Sequence, residues 1–169
     1  MYGTSPLELM ACQAMLNRQI YCYGFTYSAL WFGATALGAN GTQAIPTQIT
    51  ADSDFVIQRM NFVSFSAAGT VQANPDFTLN LTIAGSAVNL FDQAQPVTNI
   101  SGNFLNQDVP NDLPFPILIV ANNTLNATLV NRTGTAQNLS QLSYVGFKVK
   151  YLQNPDGSPT TRQQVFAIL

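Results

Sequence analysis

Residues Asp112–Gln137 read DLPFPILIVANNTLNATLVNRTGTAQ. The apolar run FPILIVA follows Pro114 and Pro116 and suits a buried strand. A polar turn comes next. LNATLVN then alternates, with Leu125, Ala127 and Leu129 on one side and Asn126, Thr128 and Val130 on the other. The stretch holds almost no charge and no catalytic side chain. It describes a β core covered by amides and hydroxyls.

The same grammar extends in both directions. In FTLNLTIAGSAVNLF, Phe77, Leu79, Leu81 and Ile83 point one way, while Thr78, Asn80 and Thr82 point the other. Gly85-Ser86 is a hairpin signal before AVNLF. Residues 92–112 read as a long connection with one short strand near Ile100 to Leu105. In SYVGFKVKYL, Val145, Phe147, Val149 and Tyr151 are expected to face in, with Lys148 and Lys150 facing solvent. DFVIQRMNFVSFSA is apolar on both sides, either a central strand between two layers or a bulged strand. TQAIPTQI reads as a strand that Pro46 confines to an edge or a bulge. Asn40-Gly41 and Asn154–Gly157 mark turns. IYCYGFTYSALWF is dense in aromatics suited to a pleated surface.

One helix precedes the strands. Ser5, Pro6 and Glu8 fit a capping box with Pro at the first helical position. Leu7, Met10, Ala11, Ala14 and Met15 recur at helical spacing, which predicts a helix over residues 6–18. It reads equally as a cap on its own domain or as an arm that docks on a neighbour. The expected fold is therefore mostly β, an antiparallel β-sandwich with jelly-roll topology and a short N-terminal α-helix. The expected organisation is a helical arm over 1–20, the sandwich over 21–153 and a tail over 154–169.

Composition narrows function. Of 169 residues, 47% are hydrophobic and 8% charged, against roughly a quarter charged in an ordinary domain. Such a chain is too apolar for disorder. Its six cations, Arg18, Arg59, Arg132, Lys148, Lys150 and Arg162, form no basic face for nucleic acid. No apolar run reaches the roughly 18 residues of a membrane helix, so no membrane partner is expected. So little charge gives weak colloidal protection, which makes more sense on a surface covered by other subunits, though secreted β proteins share this composition. The start of the chain carries Glu8 and no cationic, then apolar, block, so it does not read as a secretory signal. Cys12 and Cys22 are then expected as reduced thiols.

The catalytic inventory is thin. There is no histidine, and the single glutamate, Glu8, serves the helix cap. General acid–base catalysis relies mostly on His or on a tuned carboxylate pair. No enzyme activity and no cofactor is expected. Asp52-Ser53-Asp54 is the densest acidic spot. It is either a weak oxygen site for calcium or an ordinary turn before the strand at Phe55. Seven N-x-[ST] sequons, at Asn40, Asn80, Asn99, Asn122, Asn126, Asn131 and Asn138, follow from abundant Asn and Thr on strand faces and are read as unmodified. Tyr21, Tyr23, Phe25, Tyr27, Trp31 and Phe32 are either core, subunit interface or a sugar-stacking platform.

IPTQITADSDFVIQRM resembles a segment of small head proteins of tailed bacteriophages, a polar turn entering a strand. LPFPILIVANNTLNATLVNRTG is similar to a second such segment, a Pro-flanked strand before a polar hairpin. With the closing YVGFKVKYL the likeness spans residues 42–152. The resemblance implies a virion structural protein, a capsid decoration or cement protein or a minor head protein, made in the host cytoplasm. The expected partners are the chain itself, as a homo-oligomer for which a trimer is one plausible form, and other virion proteins such as the major capsid protein. The expected assembly interface is Leu7, Met10 and Met15 on the helix with Val165, Phe166, Ile168 and Leu169 in the tail, clamping neighbouring subunits. The alternative is a receptor- or glycan-binding jelly-roll module of a phage head or tail fibre.

Overall fold

The computed structural model describes residues 6–17, 19–71, 76–84, 88–101, 112–154 and 156–166. Helix α1 (Pro6–Leu16) leads into β1 (Ile20–Phe32). After a 3₁₀ turn at Gly33–Thr35 come β2 (Thr42–Gln48), β3 (Asp54–Ser66), β4 (Phe77–Ile83) and the short pieces β5 (Val88–Asn89) and β6 (Gln95–Pro96). Helix α2 (Val97–Ser101), then β7 (Asp112–Ile119), β8 (Thr124–Asn131), β9 (Gln137–Tyr151) and α3 (Arg162–Val165) complete the order.

The strands form two antiparallel sheets. One has the order β1-β9-β3-β7 and the other β2-β8-β4, with β5 and β6 both pairing the far side of β4. The pairing is nested. The first strand pairs the last, β2 pairs β8, β3 pairs β7, and β4 pairs the β5/β6 pieces. Rolling that long hairpin lays β9 between β1 and β3 and β8 between β2 and β4. This is a jelly roll. The expected mostly-β sandwich with a short N-terminal helix is the fold of the chain.

The opening stretch is resolved by this topology. β7 and β8 lie in different sheets, so the turn at Ala121–Asn123 is a corner between layers and not a hairpin. Asn122 takes a positive φ of 65° there, a conformation Asn tolerates better than most residues. Leu125, Ala127 and Leu129 are fully buried with Phe77, Leu79 and Leu81 of the neighbouring strand, as their alternation predicts. The β4–β5 hairpin forms, although its turn at residues 85–87 lies outside the described residues. β2 with Pro46 is an edge strand. The strand expected near Ile100 is instead the short helix α2, with Ile100 and Val97 in the core; residues 102–111 lie outside the described residues. The expected cap Ser5 also lies outside them.

β3 satisfies both expectations made for it. Asp54 to Ile57 are all buried, because this half has a covered layer on each side. A bulge between Ile57 and Arg59 then exchanges the faces, so that Met60 continues the inward set. Gly146 of β9 lies opposite Ile57. A Cβ there would collide with the Val56 carbonyl oxygen, so only glycine lets the bulged strand approach.

β9 corrects the expected facing. Ser140, Leu142, Tyr144 and Lys148 form its inward set and are buried. Phe147, Val149 and Tyr151 point to the other face, where α1 and α3 cover them. Lys148 therefore does not face solvent; Lys150 is exposed. Alternation cannot give direction where both faces of a strand are covered.

Candidate assembly surfaces

A second core seals one half of the outer face of the β1-β9-β3-β7 sheet. Ala11 and Ala14 of α1, Val165 and Phe166 at α3, and Ile20, Val56 and Val149 of the sheet are buried together. Small residues on α1 let the helix lie close. α3 is only four residues long and is held by a capping box, in which Thr161 Oγ1 accepts from the Gln164 N–H and the Thr161 N–H donates to Gln164 Oε1.

A buried clasp fastens this layer. Asp54 is 1% exposed. Arg162 donates from Nε to Oδ2 at 2.6 Å and from Nη2 to Oδ1 at 3.0 Å. The Tyr151 hydroxyl donates to Oδ2 at 2.6 Å and the Ala121 N–H to Oδ1 at 2.8 Å. A bidentate guanidinium with two further donors satisfies the buried carboxylate. The Asp54 carboxylate holds the Arg162 pKa above its usual value. Burial, then the hydrogen bond and charge of Asp54, push the Tyr151 phenol up.

These contacts decide the fate of the acidic cluster. Asp54 is the anchor of the clasp, and the guanidinium stands where a cation would. Asp52 is on the rim, 3.7 Å from Lys148 Nζ. Among the described residues no three His, Cys, Asp or Glu side chains stand together as a metal site.

The expected interface is redistributed. Val165 and Phe166 are buried in the chain's own second core, so within one chain they hold the fold. Met10 packs on that core, half-buried. Met15 is exposed. The Leu7 side chain, Ile168 and Leu169 lie outside the described residues. Leu9 and Leu16 on α1, the latter 78% exposed, join Met15 as an outward apolar face that the sequence reading missed.

The aromatic cluster divides as well. Trp31 is buried, its Nε1 donating to the Gln43 carbonyl at 3.0 Å. Tyr21, Tyr23, Phe25 and Tyr27 form a ladder along the inward side of β1, with successive ring centroids 5.8, 6.5 and 4.9 Å apart. Tyr27 then meets the core at Phe55, edge to face. Lys148 Nζ lies 4.2 Å from the Phe25 centroid and donates to Thr50 Oγ1 at 2.7 Å. Burial alone would lower the pKa of this ammonium; the Tyr27 hydroxyl and the Asp52 charge more than offset it, and the net shift is upward. The lysine is thus a fixed cation under the aromatic ladder. Cys12 and Cys22 are free thiols. Burial, with the Cys12 charge adding to it, pushes the Cys22 thiol up to about 11, which suppresses its thiolate reactivity.

On the uncovered half of the outer face, Phe32 stands opposite Leu139, Leu139 opposite Phe65, and Phe65 bridges to Val71. Leu30 lies one row away, and Leu30, Phe32 and Val71 are all exposed. Contiguous exposed apolar rows of this kind mark interaction surfaces. Elsewhere amides serve the fold itself. Asn131 is fully buried, donating to the carbonyls of Gly38 and Thr135 and accepting from the Thr133 N–H and Oγ1. Among the described residues no helix is long and apolar enough to cross a membrane.

No protein-family model matches the chain, and no curated protein matches it. Among solved structures, the crystal structure of dimeric latent PorU from Porphyromonas gingivalis aligns over 80% of this chain at 12% identity, with a TM-score of 0.37. The alignment spans 13% of that chain's length.

Proposed function

We propose that this chain is a non-enzymatic virion structural protein, a decoration or minor head subunit that stabilises a shell through subunit contacts. The observation that carries the reading is the exposed apolar surface on α1, β1 and the bare half of the sheet, set in a chain with only 8% charged residues. Burying such surface in a lattice removes it from water, and symmetry multiplies each weak contact. The resemblance of residues 42–152 to phage head proteins supports the same reading. The jelly roll is compatible with it, being used by viral capsid proteins as well as by lectins and cupins. The proposed partners are copies of this chain and a major capsid protein, and the proposed location is the virion.

Co-expression with the major capsid protein of the same genome tests this. The chain should co-sediment with assembled shells in a fixed ratio and raise their melting temperature. Shells that assemble and melt identically without bound chain would overturn the reading.

The second reading, a glycan-binding module, has one observation in its favour: the ladder Tyr21–Tyr27 reaches solvent, with Tyr21 58% exposed. The geometry favours it less. The Tyr23 and Phe25 rings meet at 87°, which gives no flat stacking platform, and Lys148 already lies against Phe25. Binding on an array of bacterial polysaccharides that is lost in Tyr21→Ala would favour this alternative.

A further inference from the structure

The four sheet edges of this jelly roll are not alike. β7 carries Pro114 and Pro116 within eight residues. β2 carries Pro46 within seven. The remaining edge is broken into β5 and β6, two residues each, the second containing Pro96. Proline, brevity and interruption are the devices by which proteins prevent an edge from recruiting another strand. β1 has none of them. It is 13 residues long, with no charge, no proline and an unbroken register against β9.

The hydrogen-bond phase of β1 shows what its edge offers. The Leu152 N–H donates to the Gln19 carbonyl, so odd-numbered residues of β1 bond to β9. Even-numbered residues direct their N–H and C=O groups away from the sheet. Phe32 agrees, because its N–H bonds instead to Thr35 Oγ1. Gly24, Thr26, Ser28 and Leu30 are exposed, and among the described residues no strand pairs this edge.

We propose that β1 pairs with β1 of a second copy of this chain, antiparallel, about a two-fold axis through Thr26. Thr26 is the central residue of the strand, so this register overlaps all of it. The register also matches side chains. Phe25 falls opposite Tyr27 of the second copy, Cys22 opposite Leu30, Ile20 opposite Phe32, and Gly24 opposite Ser28. On the even face apolar meets apolar and small meets small; on the odd face Phe25 meets Tyr27 and Tyr21 meets Trp31, with Tyr23 opposite the small Ala29; and a strand without charge meets itself without repulsion. Shifting the axis by two residues either way leaves an apolar end of the strand without a partner. The product is one continuous eight-stranded sheet across two sandwiches. Its isologous symmetry is two-fold, where the sequence reading named a trimer as one plausible form. The proposal does not depend on the virion reading.

Sedimentation of the full chain tests it through charges at the axis. Thr26 is exposed and its N–H leaves β9 alone, so its substitution spares the monomer. The wild-type chain should sediment as a dimer. Thr26→Lys places two ammonium groups opposite each other and should weaken the dimer about fivefold or more, as should Thr26→Glu. Mixing the two variants should restore dimerisation, because each lysine then faces a glutamate. A wild-type chain that remains monomeric overturns the proposal. So does a Thr26→Lys dimer as strong as wild type, or a mixture no stronger than its components.

Discussion

The outer face of the β1-β9-β3-β7 sheet has two halves built from the same three strands. At the Tyr151 end it is closed by α1, α3 and the Asp54–Arg162 clasp. At the Leu139 end, Phe32, Leu139, Phe65 and Val71 form a row with no such cover among the described residues. The strands are about equally apolar at both ends. The difference is that α1 and the segment from Arg162 to Phe166 cover one half. The helix and the tail segment up to Phe166, which the sequence suggests as arms for neighbours, thus serve first to complete the monomer. The apolar surface left exposed is the outward face of α1, the bare half and the open edge of β1.

The sharpest way to break this arrangement is at Gly146, where the two halves meet beside the β3 bulge. Gly146→Ala would force its Cβ against the Val56 carbonyl. The expected cost is about 3 kcal/mol or more, read by urea denaturation.

The closed half should respond unequally to loss of its two charges. Arg162→Ala leaves the Asp54 carboxylate buried with only Tyr151 and Ala121 as donors and should cost about 2–4 kcal/mol. Asp54→Ala should cost less. The Arg162 side chain is 35% exposed and can turn to water, whereas that of Asp54 cannot. Limited proteolysis should release the C-terminal segment first in Arg162→Ala. Equal losses for the two variants would mean that the clasp is not what seals this half.

The sequence showed the core and the edges more clearly than the covering layer. Alternation in β4 and β8 fixed their inward sets, and Pro46 marked an edge, because the apolar side of β4 and β8 packs into the main core and their polar side lies outside it. β9 misled, because Phe147, Val149 and Tyr151 face a second core whose other wall comes from α1 and α3. No local pattern shows that wall. Two signals were available: Thr161 and Gln164 in the tail have capping-box spacing, and Asp54 opens an apolar strand where a lone carboxylate needs a cation. Joining Asp54 to Arg162 across 108 residues requires the fold. The corner at Asn122 looked like a hairpin because turn chemistry does not say which sheet the next strand joins.

A smaller effect lies inside the sandwich. The Tyr144 hydroxyl is buried with no hydrogen-bond partner among the described residues, and burial pushes its phenol pKa up. Tyr144→Phe removes an unsatisfied group while keeping the ring, and should stabilise the fold by about 1 kcal/mol in thermal or urea unfolding. It should leave association through β1 unchanged, which separates the stability of the core from that of the edge.

In the proposed dimer β1 bonds its own sheet through odd residues and a second copy through even ones. Residue-resolved amide hydrogen exchange, measured across a range of protein concentrations, tests it most directly. The account predicts that the amides of Cys22, Gly24, Thr26, Ser28 and Leu30 gain protection as concentration rises, while those of Tyr21, Tyr23, Phe25 and Tyr27 are protected throughout. Even-residue amides that exchange freely at every concentration would contradict it.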